Sequence, residues 1–161
     1  METYDVVILG GGSAGESTAA LVAAAGKRVA LVEERLVGGE CPYFACMPSK
    51  AMLAAAELRL HIRQAAKTGA VSRPVALDDD RDAYRAAAAW RDLVARDRDD
   101  SLATQHLRDL GVSVTRARGR IEGYAVVRAG ELPIGWQHLV LATGARALEA
   151  QVDGLDTVPE D

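Results

Sequence analysis

Tyr4-Asp5-Val6-Val7-Ile8-Leu9-Gly10-Gly11-Gly12-Ser13-Ala14-Gly15 is the stretch on which the fold turns. Its first half is a short apolar run rich in β-branched residues, the pattern of a strand buried on both faces of a parallel sheet. Glycine takes over at once. Gly10 permits a tight turn, Gly12 lets a pyrophosphate reach the backbone, and Gly15 lets the next helix close on the strand. That helix is expected from about Glu16 to Ala25, with Gly26 ending it. Val29-Ala30-Leu31-Val32 reads as a second strand, closing with Glu33 and Glu34 at the distance where an acid can hold the hydroxyls of an adenosine ribose. Strand, glycine turn, helix and acid in that order predict a dinucleotide site. They do not separate FAD from NAD, and an ordinary βαβ turn with a solvated Glu33 is the plainer alternative.

Just beyond lies Gly38-Gly39-Glu40-Cys41-Pro42-Tyr43-Phe44-Ala45-Cys46-Met47-Pro48-Ser49-Lys50, which holds both cysteines of the chain. In a regular helix two residues five apart have Cα atoms roughly 8 to 9 Å from each other. A disulfide tolerates only about 7 Å. A bridge here therefore needs a distorted opening turn, and Pro42 and Pro48 are residues that break regular hydrogen bonding. At a helix start a cysteine is also expected to have a lowered pKa, with Lys50 adding positive charge. The spacing alone leaves a second reading, two unrelated buried thiols. Zinc would need His61, His106 and His138, which are scattered without ligand spacing.

With 161 residues, 49% of them apolar, the chain has room for one domain with a real core. A net charge of −4 gives no basic footprint for nucleic acid, and 4% aromatic residues leave few stacking platforms. No apolar run approaches the roughly 20 residues that span a bilayer, and Glu2 and Asp5 sit where a signal peptide would be basic. No nucleic acid, no membrane and a cytoplasmic location are the expectations, and in that compartment a disulfide is more readily catalytic than structural.

From Ala51 to about Lys67 the sequence is helical, with Leu53, Ala56 and Leu60 on one stripe. Residues 70 to 77 read as a loop. Asp78-Asp79-Asp80 offers capping carboxylates for a long helix over about Arg81 to Asp109, broken near Asp97 to Asp100 and stopped by Gly111. Its apolar face is expected from Trp90, Leu93 and Val94, then Leu102, Leu107 and Leu110, and its many Arg and Asp residues as a solvated, self-paired face. A third parallel strand is expected at Val112-Ser113-Val114. Residues 120 to 141 suit a small antiparallel meander (Ile121, Val126-Val127, Leu132 to Ile134) followed by a separate buried strand at Leu139-Val140-Leu141. Ala142-Thr143-Gly144 then ends it with residues small enough for a ligand to touch the backbone.

Together the fingerprint, Glu33 and GGECPYFACMPSK resemble the flavin disulfide reductase family, whose motif is usually GGTCxNxGCxPSK. Glu40 stands in place of the threonine, and Pro42-Tyr43-Phe44-Ala45 fills the space between the cysteines. The resemblance implies an α/β, Rossmann-like FAD-binding domain with a parallel sheet, flanking helices and a small meander over residues 1–147, and a connector over 148–161. It implies that Gly10, Gly12, Ser13, Ala14, Gly15, Glu33, Glu34, Gly39, Glu40, Cys46, Lys50, Gly119, Ala142, Thr143 and Gly144 lie at FAD. By the same resemblance Cys41 exchanges with substrate, Cys46 lies against the isoalloxazine, and Lys50 is near the flavin N5. The activity implied is transfer from NAD(P)H through FAD and a Cys41–Cys46 disulfide to a small-molecule or protein-bound disulfide. The resemblance covers only the first part of a family member, without the NAD(P)H fingerprint or the dimerisation domain with its histidine and glutamate. The expectation is thus a fragment inactive alone, from a parent that is a homodimer. A nucleotide-binding module or remnant without turnover, and an oxidoreductase with bystander cysteines, remain the alternatives.

Overall fold

In the computed structural model, residues 1–146 are described together with Leu148, Val152 and Gly154. Strand β1 (Glu2–Leu9) leads through the glycine turn into α1 (Ser13–Ala24), and β2 (Val29–Glu33) lies parallel to β1. A one-turn helix α2 (Glu40–Tyr43) precedes α3 (Cys46–Gln64), and α3 forms a hairpin with α4 (Asp80–Val94). After α5 (Ser101–Asp109) come β3 (Ser113–Arg116), β4 (Gly119–Ile121), β5 (Val126–Ala129) and β6 (Leu132–Leu141). Among the described residues six strands join one sheet in the order β3-β2-β1-β6-β5-β4. The α/β class with flanking helices and an antiparallel meander is thus as expected. The connector over 148–161 lies outside the described residues apart from Leu148, Val152 and Gly154.

Alternation along β1 explains how one strand serves two cores. Val6 and Ile8 point into a cluster with Ala19, Leu31, Leu107 and Val112, covered by α1 and α5. Val7 and Leu9 point into the other, with Val32, Val127, Ala129 and Ile134, closed by side chains of the meander. Both faces being buried is why the strand is a continuous apolar run.

One expectation about strands fails. The last meander strand and the buried strand at Leu139–Leu141 are a single strand, β6, ten residues long. Pro133 and Gly135 read as breaks in the sequence, but Pro133 sits at the outer end, opposite Arg128 of β5. A β carbon on Gly135 would approach Thr3 Oγ1 to 2.7 Å, so its glycine serves close packing rather than a turn. β6 therefore pairs antiparallel with β5 over its first half and parallel with β1 from Ile134 to Leu141.

The helical stripes are also corrected. On α3 the less exposed positions are Ala51, Met52, Ala55, Arg59 and Ile62, while Leu53, Ala56 and Leu60 face outward. On α4 no residue is fully buried, and Trp90 and Leu93 are largely exposed. An apolar groove stays open between the two helices and Trp90 lines it, which leaves this bulky residue partly exposed. Of the three leucines expected on this face only Leu107 of α5 enters the core; Leu102 of α5 and Leu110 just beyond it stay exposed. The expected long helix is indeed interrupted, at a turn where Arg96, Asp97 and Arg98 have φ of 53, 49 and 62°. Asp79 caps α4, accepting from the amides of Arg81 and Asp82, while Asp80 pairs with Arg59 and Arg63 of α3. Self-pairing within the Arg and Asp run is present at Arg85–Asp82 and Arg91–Asp92.

Candidate active site at the carboxyl edge of the sheet

The carboxyl ends of β1, β2 and β6 converge on the glycine turn, the crevice where open α/β sheets bind ligands. Gly10 has φ 99° and sits so close to the end of β6 that a β carbon would lie 2.2 Å from Ala142 O. On Gly15 a β carbon would come within 1.8 Å of Gly10 O. These two glycines are demanded by the protein itself. Gly12 is not. Its φ of −69° suits any residue, and a β carbon there would meet nothing nearer than Gly39 Cα at 4.0 Å. The space over Gly12 is kept clear at the N-terminus of a 12-residue helix that no side chain caps. That arrangement suits a diphosphate, which the first amides of α1 and the helix dipole would hold.

The second glycine pair belongs to the same construction. Gly38 N donates to Gly11 O at 2.7 Å, and Gly12 and Gly38 form a parallel β-bridge. A β carbon on Gly39 would stand 2.9 Å from Gly12 Cα, so the start of α2 lies directly on the fingerprint. Glu33 closes the far side. Its two carboxylate oxygens accept from Gly11 N at 2.6 Å and Arg35 N at 2.5 Å. Each oxygen retains a further lone pair for a ribose hydroxyl. The exposed Glu34 instead faces Arg118 at 4.0 Å, and Glu40 faces Arg35 at 3.9 Å. Ala142 N donates to Leu9 O at 2.8 Å, which lays Ala142-Thr143-Gly144 alongside the turn. Gly119 has a packing reason of its own, since a β carbon there would meet Leu9 Cδ2 at 2.6 Å. Ser13 and Ala14 form the exposed first turn of α1.

The cysteine segment has the distortion that its spacing requires. α2 ends at Tyr43, Phe44 follows at φ −128°, and Ala45 stands at φ −118°, ψ −93° before α3 begins at Cys46. The chain thus turns sharply between the cysteines. Cys41 is exposed, Cys46 is partly buried, and both are free thiols. Burial and nearby charges act on Cys41, but the Cys46 thiol has the largest effect, holding the Cys41 pKa above its ordinary value by hydrogen bonding to it. This corrects the expectation of a lowered pKa at that position: a neighbouring thiol outweighs the pull of Lys50, which acts in the opposite direction. Lys50 itself is exposed on the first turns of α3.

Sequence reasoning missed the residues that fix this segment. The buried Tyr43 hydroxyl donates to Val37 O at 3.0 Å, and burial pushes its own pKa up. Val37 N donates to Asp100 Oδ2 at 2.7 Å, and Arg116 bonds both Asp100 and Arg35 O. Tyr43 was visible only as a departure from the family motif. Asp100 and Arg116 join positions 63 and 81 residues apart from their partners, which no local pattern reveals. A larger apolar groove, about 750 Å³, runs between α3 and α4 past Met52, Ile62 and Trp90, and contains neither cysteine nor any fingerprint residue. Among the described residues no cluster of three or more His, Cys, Asp or Glu could hold a metal, and no helix is long and apolar enough to cross a membrane.

A glycine turn open to a diphosphate, an acid at the end of β2 and two cysteines on the adjoining segment suit a dinucleotide-binding α/β protein. Residues 4–160 match the pyridine nucleotide-disulphide oxidoreductase family, and the chain belongs to it. The family binds FAD, with NAD(P)H as second cofactor in its full-length members. Dihydrolipoyl dehydrogenase of Chlamydia muridarum is 36% identical over 147 residues, covering 89% of this chain and 30% of the relative. Mercuric reductase of Streptomyces lividans is 32% identical over 162 residues, covering 96% of this chain and 33% of the relative. In fold the chain resembles the HOCl-induced flavoprotein disulfide reductase RclA of Escherichia coli, with a TM-score of 0.67 at 23% identity over 97% of this chain and 32% of that one. The chain thus spans 30% and 33% of the length of the two curated relatives.

Proposed function

We propose that this chain is the FAD-binding part of an NAD(P)H-dependent disulfide oxidoreductase. The observation that carries the reading is the bridge between Gly12 and Gly38, which sets the thiol-bearing segment directly on an open diphosphate cradle. The amides of Ser13 and Ala14 would hold the diphosphate of FAD, Glu33 its ribose, and Gly39, Glu40, Ala142, Thr143 and Gly144 would line its path toward Cys46 and Lys50. Gly119 and Glu34 stand at the periphery of that path. Residues 1–147 would form the flavin domain, and 148–161 its connector to the rest of the parent.

Cys41, the exposed thiol, is the natural point of attack on a substrate. Its thiolate displaces one sulfur of a substrate disulfide, forming a mixed disulfide and releasing one substrate thiol. Cys46 then attacks the Cys41 sulfur and releases the second thiol, leaving Cys41 and Cys46 bonded; two electrons have passed to the substrate. Lys50 favours the Cys41 thiolate electrostatically. FAD, when bound, supplies the two-electron passage from NAD(P)H that returns the pair to thiols. The substrate is a small-molecule or protein-bound disulfide, the full-length parent a cytoplasmic homodimer, and this chain alone does not turn over.

The test is spectroscopic. The purified chain is loaded with FAD and its visible spectrum recorded during stepwise reduction. A long-wavelength thiolate-to-flavin band is expected in the natural sequence and its loss in Cys46→Ser. A flavin that binds without the band leaves only a nucleotide-binding shell. Failure to retain FAD removes the cofactor from the reading.

A further inference from the structure

The only phenylalanine of the chain, Phe44, lies between the two cysteines and is 46% exposed. An exposed aromatic ring on a distorted link is an unexpected choice unless something holds it. Two guanidiniums do. Arg35 Cζ lies 5.3 Å and Arg98 Cζ 5.8 Å from the centre of the Phe44 ring, both within cation–π range.

Each arginine is fixed from behind. Arg35 comes from the loop after β2, where its amide donates to Glu33 and its carbonyl accepts from Arg116. Arg98 closes the left-handed turn, in which three successive non-glycine residues have positive φ. Such residues resist this conformation, and surroundings that over-determine it are needed to keep it. Here Arg98 N donates to Ala95 O at 3.0 Å, Asp99 N to Arg96 O at 2.8 Å, and Asp92 lies 3.4 Å from the Arg98 guanidinium. Beyond it, Asp99 accepts from Ser101 N at 2.9 Å. The strained turn thus delivers a cation to a ring on another element, and the ring sits on the segment whose shape decides whether two sulfurs meet.

We propose that Arg35, Phe44 and Arg98 form a clamp that positions the Cys41–Cys46 pair, holding the link between α2 and α3 out of regular helix so that the thiols stay within bonding reach. The clamp deepens the proposed disulfide chemistry and rests on that reading. In regular helix the two Cα atoms would separate to roughly 8 to 9 Å, beyond disulfide reach. Loosening the clamp thus lowers the effective concentration of one sulfur at the other.

The experiment equilibrates the full chain with glutathione disulfide and glutathione and quantifies the protein disulfide by mass after acid quench. The reaction consumes both thiols and one glutathione disulfide and yields the Cys41–Cys46 bond and two glutathiones. Phe44→Ala, which removes both cation–π contacts, is expected to lower the equilibrium constant roughly tenfold, and Arg98→Ala, which removes one, about three- to fivefold. Tenfold corresponds to about 30 mV for this two-electron couple. Phe44→Trp, which keeps a ring for the cations, should restore the natural value. Arg98→Gly separates positioning from stability, because glycine relieves the left-handed turn while removing the cation. Its constant should fall although its Tm stays at or above that of the natural chain. If Phe44→Ala fails to fold, the two Arg98 variants decide. Constants within twofold of the natural chain in both Arg98 variants overturn the clamp and leave the dithiol reading intact. A natural chain that forms no disulfide at any glutathione ratio overturns the dithiol reading and the clamp with it.

Discussion

The sheet edge and the α3–α4 hairpin adjoin at Cys46, yet they are put together by opposite means. At the edge, backbone touches backbone: Gly10, Gly15 and Gly39 cannot bear a methyl group without collision, and side chains such as Val7 and Leu31 are wholly enclosed. The hairpin has a capping aspartate, exposed ion pairs and an open apolar groove between its helices, and α4 buries no residue fully. Exposed ion pairs of this kind contribute about 0 to 1 kcal/mol each. Rigidity is therefore concentrated where a ligand would be read, and the hairpin is the part that can be altered with little loss.

The sharpest way to break that comparison is within the fingerprint itself. Gly15→Ala drives a β carbon into Gly10 O, so a loss of about 4 kcal/mol or more is expected in urea titration. Leu107→Ala, at 0% exposure, should cost about 2 to 5 kcal/mol, whereas Leu93→Ala, at 63%, should stay within about 0.5 kcal/mol. Equal losses for the two leucines would mean that the hairpin carries more of the fold than its packing indicates.

The cap of α4 gives a smaller, pH-dependent effect. Backbone hydrogen bonding, led by the Asp82 amide, holds the Asp79 carboxyl below the usual carboxylate range. A depressed folded-state pKa contributes stability that is present above the unfolded-state value and lost as pH falls through the folded one. Asp79→Ala should therefore lower the Tm at neutral pH and flatten its decline in acid. A melting curve at each pH checks both.

Gly12→Ala should have a small effect on stability and a large one on ligand binding. With no atom in its way and an ordinary φ, the substitution should shift stability by less than about 1 kcal/mol. FAD retention should nevertheless fall, since the methyl group would occupy the space over the turn. Unimpaired retention would show that the space is not where the diphosphate lies.

How far the sequence was legible follows the same division. β1, the glycine turn, β2 and the C-terminal end of α1 were readable because local chemistry fixes them, whereas α1 begins at Ser13, three residues before the expected Glu16. The two cysteines were readable as a pair that needs a broken helix. β6 was misread because proline and glycine usually punctuate, whereas here the edge position of Pro133 and the tight contact at Gly135 let one strand run through. The hairpin was misread because apolar bulk drew attention to Leu53, Trp90 and Leu93, which stay largely exposed. The pKa of Cys41 was misjudged because a helix start was weighed and the facing thiol was not. Tyr43, Asp100 and Arg116 act over distances that periodicity does not record.

The strand order carries a consequence for how the molecule assembles. Among the described residues β6 is the last strand, and it lies between β1 and β5, in the middle of the sheet. Until it docks, β1 presents an unpaired flank, open to any other extended segment it meets. Closing that flank joins residues more than a hundred positions apart, a slow kind of contact to form. The cradle for the cofactor, walled on one side by Ala142, therefore depends on a contact between segments distant in sequence.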